Sequence, residues 1–203
     1  YEFKNSLVFR SITILFGLVL ILTLILGVTF LLFRATIEKA ETAYKNADYK
    51  TALTMFEDLA YQNNTKAKYS LGVMYYKGEG ATKDYIKAKD WYEKAADQGN
   101  VDAQYSLGVM YYKGEGVTKD YIKAKDWYEK AAYKGNVDAQ YTLGVMYYKG
   151  EGVTKDYIKA KELWEKAAAQ GNVVAQMNLG MLYFNGYGVT KDYIKAKELW
   201  EKA

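Results

Sequence analysis

Three glutamates that recur in the same turn are the residues of this chain best suited to acid–base chemistry. Glu79, Glu115 and Glu151 each stand between two glycines in the sequence KGEG, thirty-six residues apart. Paired carboxylates carry out glycoside hydrolysis when they lie roughly 5–10 Å apart, so a hydrolase of the cell envelope or of polysaccharide is one hypothesis. Equivalent residues of stacked repeats are separated by about the width of a helix pair, and a glutamate between glycines is usually a solvated turn residue. We therefore predict no catalytic residue and no enzymatic activity.

The composition removes several other classes of site. The 203 residues include neither His nor Cys, so the commonest general base, the commonest metal ligand and all disulfides are missing. The turn sequence KGEGVTKD lacks the alternating oxygen ligands of a calcium loop. The 28 basic and 24 acidic residues are interleaved and leave a net charge of +4, which is not the footprint of a phosphate-backbone binder. We predict no cofactor, no metal and no nucleic-acid partner.

A long apolar run near the start of the chain predicts a membrane anchor. Residues 12–33 read ITILFGLVLILTLILGVTFLLF, contain no charge, and lie between Arg10 and Arg34. At about 1.5 Å per residue, a helix of this length spans the ~30 Å hydrocarbon core of a bilayer. A cleaved signal peptide has a shorter apolar run and a small-residue cleavage site, whereas here Phe33 leads straight into Arg34. The sequence favours a transmembrane helix in contact with lipid, preceded by a short tail, 1–11.

The rest of the chain repeats itself with a period of thirty-six residues. Residues 67–102 and 103–138 differ at four positions only. Periods of this length indicate a solenoid, in which each unit buries its apolar faces against its neighbours. The predicted fold class is therefore all-α, a transmembrane helix followed by an α-solenoid of helical hairpins. The predicted units are a degenerate opening hairpin at 34–66, full repeats at 67–102, 103–138 and 139–174, and a partial repeat at 175–203.

Each repeat contains the signals for two helices and two breaks. Asn136 is the predicted N-cap of the first helix, and glycines of the KGEG turn supply the positive φ at which the chain reverses. Thr118 or Asp120 is expected to begin the second helix, and Gly135 to end it. Predicted buried stripes are Ala139, Leu143, Gly144 and Tyr147 on the first helix, and Tyr121, Ala124, Tyr128 and Ala131 on the second.

These spacings resemble a known repeat family. The residues that carry the resemblance in one unit are Ala103, Leu107, Gly108, Tyr111, Gly114, Gly116, Val117, Asp120, Lys123, Ala124, Trp127, Lys130, Ala131, Ala132 and Gly135. Together they are similar to the Sel-one-like repeat, a relative of the tetratricopeptide repeat, and the similarity covers 67–203. The resemblance implies an adaptor that binds other proteins, and it implies that bacterial members are often exported or membrane-anchored.

The tetratricopeptide register also predicts which residues face a partner. If Leu107, Gly108 and Tyr111 face the second helix of the hairpin, the intervening residues point to the concave side. Tyr and Met suit such a surface because they give large or adaptable contacts, although the tyrosines can equally be half-exposed rings that pack adjacent hairpins. The predicted partner-binding residues are Tyr69, Tyr76, Lys77, Tyr105, Tyr112, Lys113, Tyr141, Tyr148, Lys149, Met177, Met181 and Phe184.

The function we expect is that of a membrane-anchored scaffold or accessory subunit of a larger membrane or envelope assembly. Its partner would be a protein segment with apolar and acidic groups. A short tail before a first hydrophobic segment usually stays in the cytoplasm, so the solenoid is expected on the periplasmic side of a bacterial inner membrane. The alternative hypothesis is a structural spacer that self-associates end to end through Leu199 and Trp200.

Overall fold

The computed structural model describes residues 22–23 and 36–203. The predicted tail, 1–11, lies outside this described part, and so does the predicted transmembrane helix, 12–33, apart from residues 22 and 23. Within the described residues, every helix is too short or too polar to traverse a bilayer.

Residues 36–203 are built from consecutive α-helices joined by short turns, and the described part contains no strand. From α2 onward, each helix packs against the next along the chain, which confirms the predicted all-α solenoid. We call the odd-numbered helices A helices and the even-numbered ones B helices. They are α1 (36–45), α2 (Tyr49–Tyr61), α3 (Thr65–Lys77), α4 (Tyr85–Asp97), α5 (Val101–Lys113), α6 (Tyr121–Tyr133), α7 (Val137–Lys149), α8 (Tyr157–Ala169), α9 (Val173–Asn185) and α10 (Tyr193–Glu201).

The helix ends follow the capping signals of the sequence. Asn136 accepts a hydrogen bond from the Ala139 amide at 2.8 Å, as predicted for an N-cap. Of the two candidates for the start of the B helix, Asp120 is the N-cap, accepting from the amides of the first turn. Gly114 ends α5 with φ 79°, and Gly135 follows α6 with φ 88°, in the left-handed region that favours glycine.

Inside each unit, a glycine of the A helix lies against an aromatic ring of the B helix. A Cβ built on Gly108 would stand 2.5 Å from the Tyr128 ring, a separation that real Cβ atoms do not show. Tyr128 is 1% exposed. The other units repeat the contact with Gly72 and Tyr92, Gly144 and Trp164, and Gly180 and Trp200. The ring needs the space that only glycine leaves, so this contact fixes the approach of the two helices.

The larger indole of the later units fits the same slot. Trp164 replaces the tyrosine at this position and is 1% exposed. Its Nε1 donates a hydrogen bond to the Tyr141 carbonyl at 3.1 Å, which satisfies the buried polar atom. The preceding position changes from Trp127 to Leu163, so the smaller leucine offsets the volume that Trp164 adds.

Contacts between units complete each core. Tyr105, Val109 and Tyr112 of α5 are half-buried against a core cluster to which α6 of their own unit and α7 of the following unit both contribute. The turn of one unit also rests on the previous one, because a Cβ on Gly116 would meet the Tyr85 backbone oxygen at 2.8 Å. Stacking matters for burial, since Trp164 is covered by the next hairpin whereas Trp200, in the last described unit, is 42% exposed.

We predict that Gly108→Ala destabilises the solenoid by about 2 kcal/mol, because the added methyl overpacks the Tyr128 ring. Helix propensity alone predicts the opposite sign, a gain of about 0.5–1 kcal/mol. Urea unfolding followed by circular dichroism measures the change in the free energy of unfolding.

The matched control is the double variant Gly108→Ala, Tyr128→Leu. If the methyl group and the ring compete for one space, the losses of unfolding free energy in the two single variants add up to more than the loss in the double variant. A stabilised Gly108→Ala protein, or strictly additive losses, would contradict the packing argument.

Candidate protein-binding surface

The twelve predicted partner-binding residues all lie on A helices of four successive units, and all except Met181 occupy positions that recur within the set. We call these twelve residues the A-helix face. The structure therefore brings them to one side of the hairpin stack, but it does not leave them equally free. Some are engaged in stacking, and others are exposed to solvent. The assignment of all twelve to partner binding stays a prediction.

A hydrogen-bonded ladder uses several of the tyrosines to join one unit to the next. The Tyr76 hydroxyl donates to Glu115 Oε2 at 2.5 Å, and Lys113 Nζ lies 3.9 Å from the same carboxylate. Each turn glutamate is thus held by a tyrosine of the preceding unit and a lysine of its own. The other rungs are Tyr44, Glu79 and Lys77, and Tyr112, Glu151 and Lys149.

Burial and the neighbouring carboxylate hold the ladder phenols in their neutral form. Removal from water, and then the hydrogen bond to Glu115, raise the pKa of Tyr76 well above its ordinary value of 10.0. The pKa of Tyr112 is raised by the same causes, with Glu151 as the partner. Both phenols therefore act as hydrogen-bond donors throughout the physiological pH range.

The ladder changes the interpretation of the turn glutamates. The sequence suggested solvated turn residues, but the side chains of Glu79, Glu115 and Glu151 are only 23%, 26% and 26% exposed. Their oxygens accept bonds that tie units together, which gives them a structural role. Among the residues that the structure describes, no cluster of acidic side chains could hold a metal ion.

The ladder stops at the last unit, where the surface becomes apolar. Tyr187 takes the place of the glutamate and stacks on Tyr157, with ring centroids 5.0 Å apart. Tyr148 therefore meets an aromatic ring, 6.3 Å from its own, instead of a carboxylate. On α9, Met177 is 50% exposed and Phe184 is 46% exposed, so the A-helix face ends in uncovered apolar side chains.

The lysines are the most accessible repeated part of the A-helix face. The side chains of Lys77, Lys113 and Lys149 are 52%, 52% and 51% exposed. Between them and the half-buried rings lies a groove, which in the first full repeat has a volume of about 270 Å³. Its lining is Tyr44, Tyr69, Ser70, Val73 and Lys77. A row of ammonium groups above aromatic and aliphatic surface suits a partner with acidic and apolar side chains.

Sequence reasoning missed part of this surface. Tyr44 was not assigned to it, although its hydroxyl donates to Glu79 and its ring lines the groove. The later repeats contain a sequence signal for this ladder. Tyr76 and Tyr112 each precede the glutamate to which they donate by thirty-nine residues, which is one period plus three. The opening unit hides that spacing, since its turn between α1 and α2 is shorter than the later KGEG turns.

The residues of the proposed end-to-end contact are also fixed within their own unit. Trp200 Nε1 donates to the Met177 carbonyl at 3.0 Å, and its ring lies 5.7 Å from that of Phe184. Leu199 is half-buried. The indole is partly exposed, but its polar atom already has a partner.

Comparison with known protein families finds a match over the repeated part of the chain. The family model for the Sel1 repeat matches residues 65–100, 101–136, 137–172 and 173–203. These boundaries coincide with the starts of α3, α5, α7 and α9. No protein with curated annotation matches the chain.

Several solved structures are similar to this one. One is c5321, a protective antigen present in uropathogenic Escherichia coli strains and displaying an SLR fold, with 35% identity and a TM-score of 0.79 over 84% of this chain. The chain spans only 37% of that protein's length. Another is a Sel1 repeat protein from Oxalobacter formigenes, with 34% identity and a TM-score of 0.77, covering 81% of this chain and 68% of that one.

We predict that Tyr112→Phe lowers the free energy of unfolding by about 1 kcal/mol. A hydrogen bond to a charged group contributes about 1.5–3 kcal/mol, and the partial exposure of Glu151 reduces this figure. Tyr148→Phe is the matched control, because the same position of α7 faces Tyr187 and not a glutamate. Urea titrations that show equal losses for the two variants would remove the ladder as a source of stability.

Alkaline pH should unfold the protein as the buried phenols ionise. Burial raises the pKa of Tyr76, Tyr92, Tyr112 and Tyr128 above 10.0, so the folded state holds these protons more tightly than the unfolded chain does. Their contribution to stability is fully present below about pH 10 and decreases as the pH rises through the folded pKa values.

Urea midpoints at pH 8 and at higher pH, read together with tyrosinate absorbance, measure this effect. We expect the midpoint to decrease above about pH 10, with a large group of tyrosines ionising only when the chain unfolds. An unchanged midpoint with all tyrosines titrating normally in the folded state would contradict the argument.

Proposed function

Because the chain belongs to the Sel1 repeat family, we propose that it is a membrane-anchored scaffold whose A-helix face binds another protein. Sel1 repeat proteins generally mediate protein–protein interaction. The finer points of the proposal are the face that binds, the anchor, and a role as an accessory subunit of a membrane or envelope assembly on the periplasmic side of a bacterial inner membrane.

The row formed by Lys77, Lys113 and Lys149 is the observation that carries the proposal. The three ammonium groups recur once per unit and are about half exposed, next to rings that stacking already holds in place. A preorganised surface of this kind loses little conformational entropy on binding. A partner segment with acidic residues spaced to match successive units would find a cation at each step.

The uncharged run at 12–33 supports the anchored form of the proposal. Its length suits a single transmembrane helix, and no charged residue interrupts it. Residues 36–45 are helical and lie only a few residues beyond the run in the sequence, so a partner bound to the A-helix face would be held close to the bilayer. Such proximity raises the effective concentration of a membrane-bound partner.

The proposal predicts that Lys77→Gln, Lys113→Gln, Lys149→Gln reduces recovery of partner proteins from mild detergent roughly tenfold, since each exposed ion pair contributes about 0.2–1 kcal/mol. The matched control is Lys119→Gln, Lys155→Gln, Lys191→Gln, which removes the same number of exposed, evenly spaced charges from the turns before the B helices. Co-purification with a tagged full-length chain is the measurement.

Equal recovery with both triple variants would exclude the lysine row as the binding surface. Concentration-dependent sedimentation of the wild-type chain that is lost with Leu199→Gln, Trp200→Gln would favour the self-associating spacer instead.

In the same preparations, carbonate-washed membranes should retain the full chain but release a version that starts at residue 34. Release of both would contradict the anchor.

A further inference from the structure

A second groove lies on the opposite helices of the stack, among α2, α3 and α4. Its volume is about 560 Å³, and its lining is Glu57, Ala60, Tyr61, Lys68, Trp91 and Lys94. Five of these six residues belong to the B helices α2 and α4, and the sixth, Lys68, comes from the A helix between them. None belongs to the A-helix face, so this groove is a separate feature of the molecule.

The unusual residue of the groove is a buried lysine. Lys68 is 8% exposed, and its Nζ donates to Asn63 Oδ1 at 2.5 Å. No ion pair joins Lys68 to a carboxylate in the described part of the chain; Glu57 lines the same groove, but its hydrogen bond comes from the Tyr75 hydroxyl at 3.4 Å. An ammonium group has three N–H donors, and burying it without an anion is costly.

The other repeats show that this charge is not needed for stacking. Gln104 and Gln140 occupy the equivalent position, and each donates Nε2 to a carbonyl of the preceding B helix at 3.3 Å. Asn63, with φ 66°, likewise stands where later units have glycine, such as Gly99 with φ 85°. Where the opening unit meets the first full repeat, a lysine and the side-chain amide of Asn63 thus stand at positions that glutamine and glycine occupy at the next junction.

The wall of the groove combines aromatic surface with a second cation. Lys94 Nζ lies 4.2 Å from the centroid of the Trp91 ring, and Tyr61 is 92% exposed at the mouth. The lining therefore contains two ammonium groups and one carboxylate, that of Glu57, together with the Trp91 and Tyr61 rings. An anion that enters this space can pair with Lys68, while an attached apolar group covers Trp91.

We propose that this groove binds the carboxylate of a peptide segment, with the oxygen atoms at Lys68 Nζ and a neighbouring apolar side chain against Trp91. The carboxylate belongs to an acidic side chain or to a chain terminus, which have the same chemistry. The site goes beyond the scaffold role of the A-helix face and does not depend on it, since none of its lining residues belongs to that face.

The test titrates the full chain in mild detergent with three short peptides by isothermal titration calorimetry. Acetyl-Phe-Glu-Phe-amide carries a side-chain carboxylate, acetyl-Phe-Phe carries a terminal one, and acetyl-Phe-Gln-Phe-amide is the neutral control. We expect one site that prefers at least one of the two acidic peptides to the neutral one roughly tenfold. The better acidic peptide identifies the source of the carboxylate.

Variants taken from the chain's own repeats connect the binding to the groove. Lys68→Gln reproduces the residue at 104 and 140 and should abolish the preference for the acidic peptides, whereas Lys68→Arg keeps the charge and should retain it. Trp91→Leu reproduces Leu163 and should weaken all three peptides. Lys130→Gln, which alters the counterpart of Lys94 in the next unit, should change nothing.

Several results would overturn the proposal. The first two are equal affinity for the acidic and neutral peptides, and no heat of binding up to about 5 mM of any peptide. The others are a preference for the acidic peptides that is unchanged in Lys68→Gln, or one that is lost in Lys68→Arg although this variant melts as the wild type does. The lysine variants of the A-helix face should leave these titrations unaltered, so failure here is distinguishable from failure of the scaffold proposal.

Discussion

The contact between a helical glycine and an aromatic ring is the constraint on which the whole stack depends. Gly108 has no side chain, so the Tyr128 ring can lie directly on the A-helix backbone, and the two helices of a unit approach closely. That close pair still leaves part of its apolar surface open. Trp164, 1% exposed, and Trp200, 42% exposed, show how much the following hairpin contributes. Stability in such a chain is shared between units and does not belong to any one of them.

The same constraint limits which residues are free to function. A tyrosine that packs on the core, such as Tyr105 against Tyr128, or that donates to a glutamate of the next unit, such as Tyr76, is already committed to the fold. Its remaining exposed edge can still contact a partner, but its removal would also loosen the stack. The charged side chains at the margins are more exposed, and among them Lys113 makes a long ion pair of 3.9 Å with Glu115. Binding specificity is therefore more easily placed on the lysines than on the rings beneath them.

Much of this architecture could be predicted from the sequence because its signals are local and repeated. The period, the asparagine and aspartate caps and the positive-φ glycines all act within one unit, and all were confirmed. The tyrosine–glutamate ladder could not be found in this way, since it joins residues at different positions of neighbouring units, and aligning the repeats hides that offset. The burial of Lys68 was also invisible, although its difference from Gln104 was plain, because sequence alone does not report depth.

Near-identical repeats serve as controls for one another, and this helps to separate structure from function. Where Trp164 replaces a tyrosine, volume is balanced by Leu163 and the buried nitrogen finds a carbonyl, so the change is explained by packing alone. Where Lys68 replaces a glutamine, the buried charge has an amide oxygen as its only partner among the described residues. Burying the Lys68 ammonium group costs desolvation free energy, and the stacking of the later units does not require a charge at this position. The lysine therefore needs another explanation. An anionic ligand in the adjoining groove would supply it, because the pairing would then offset the burial of the ammonium group.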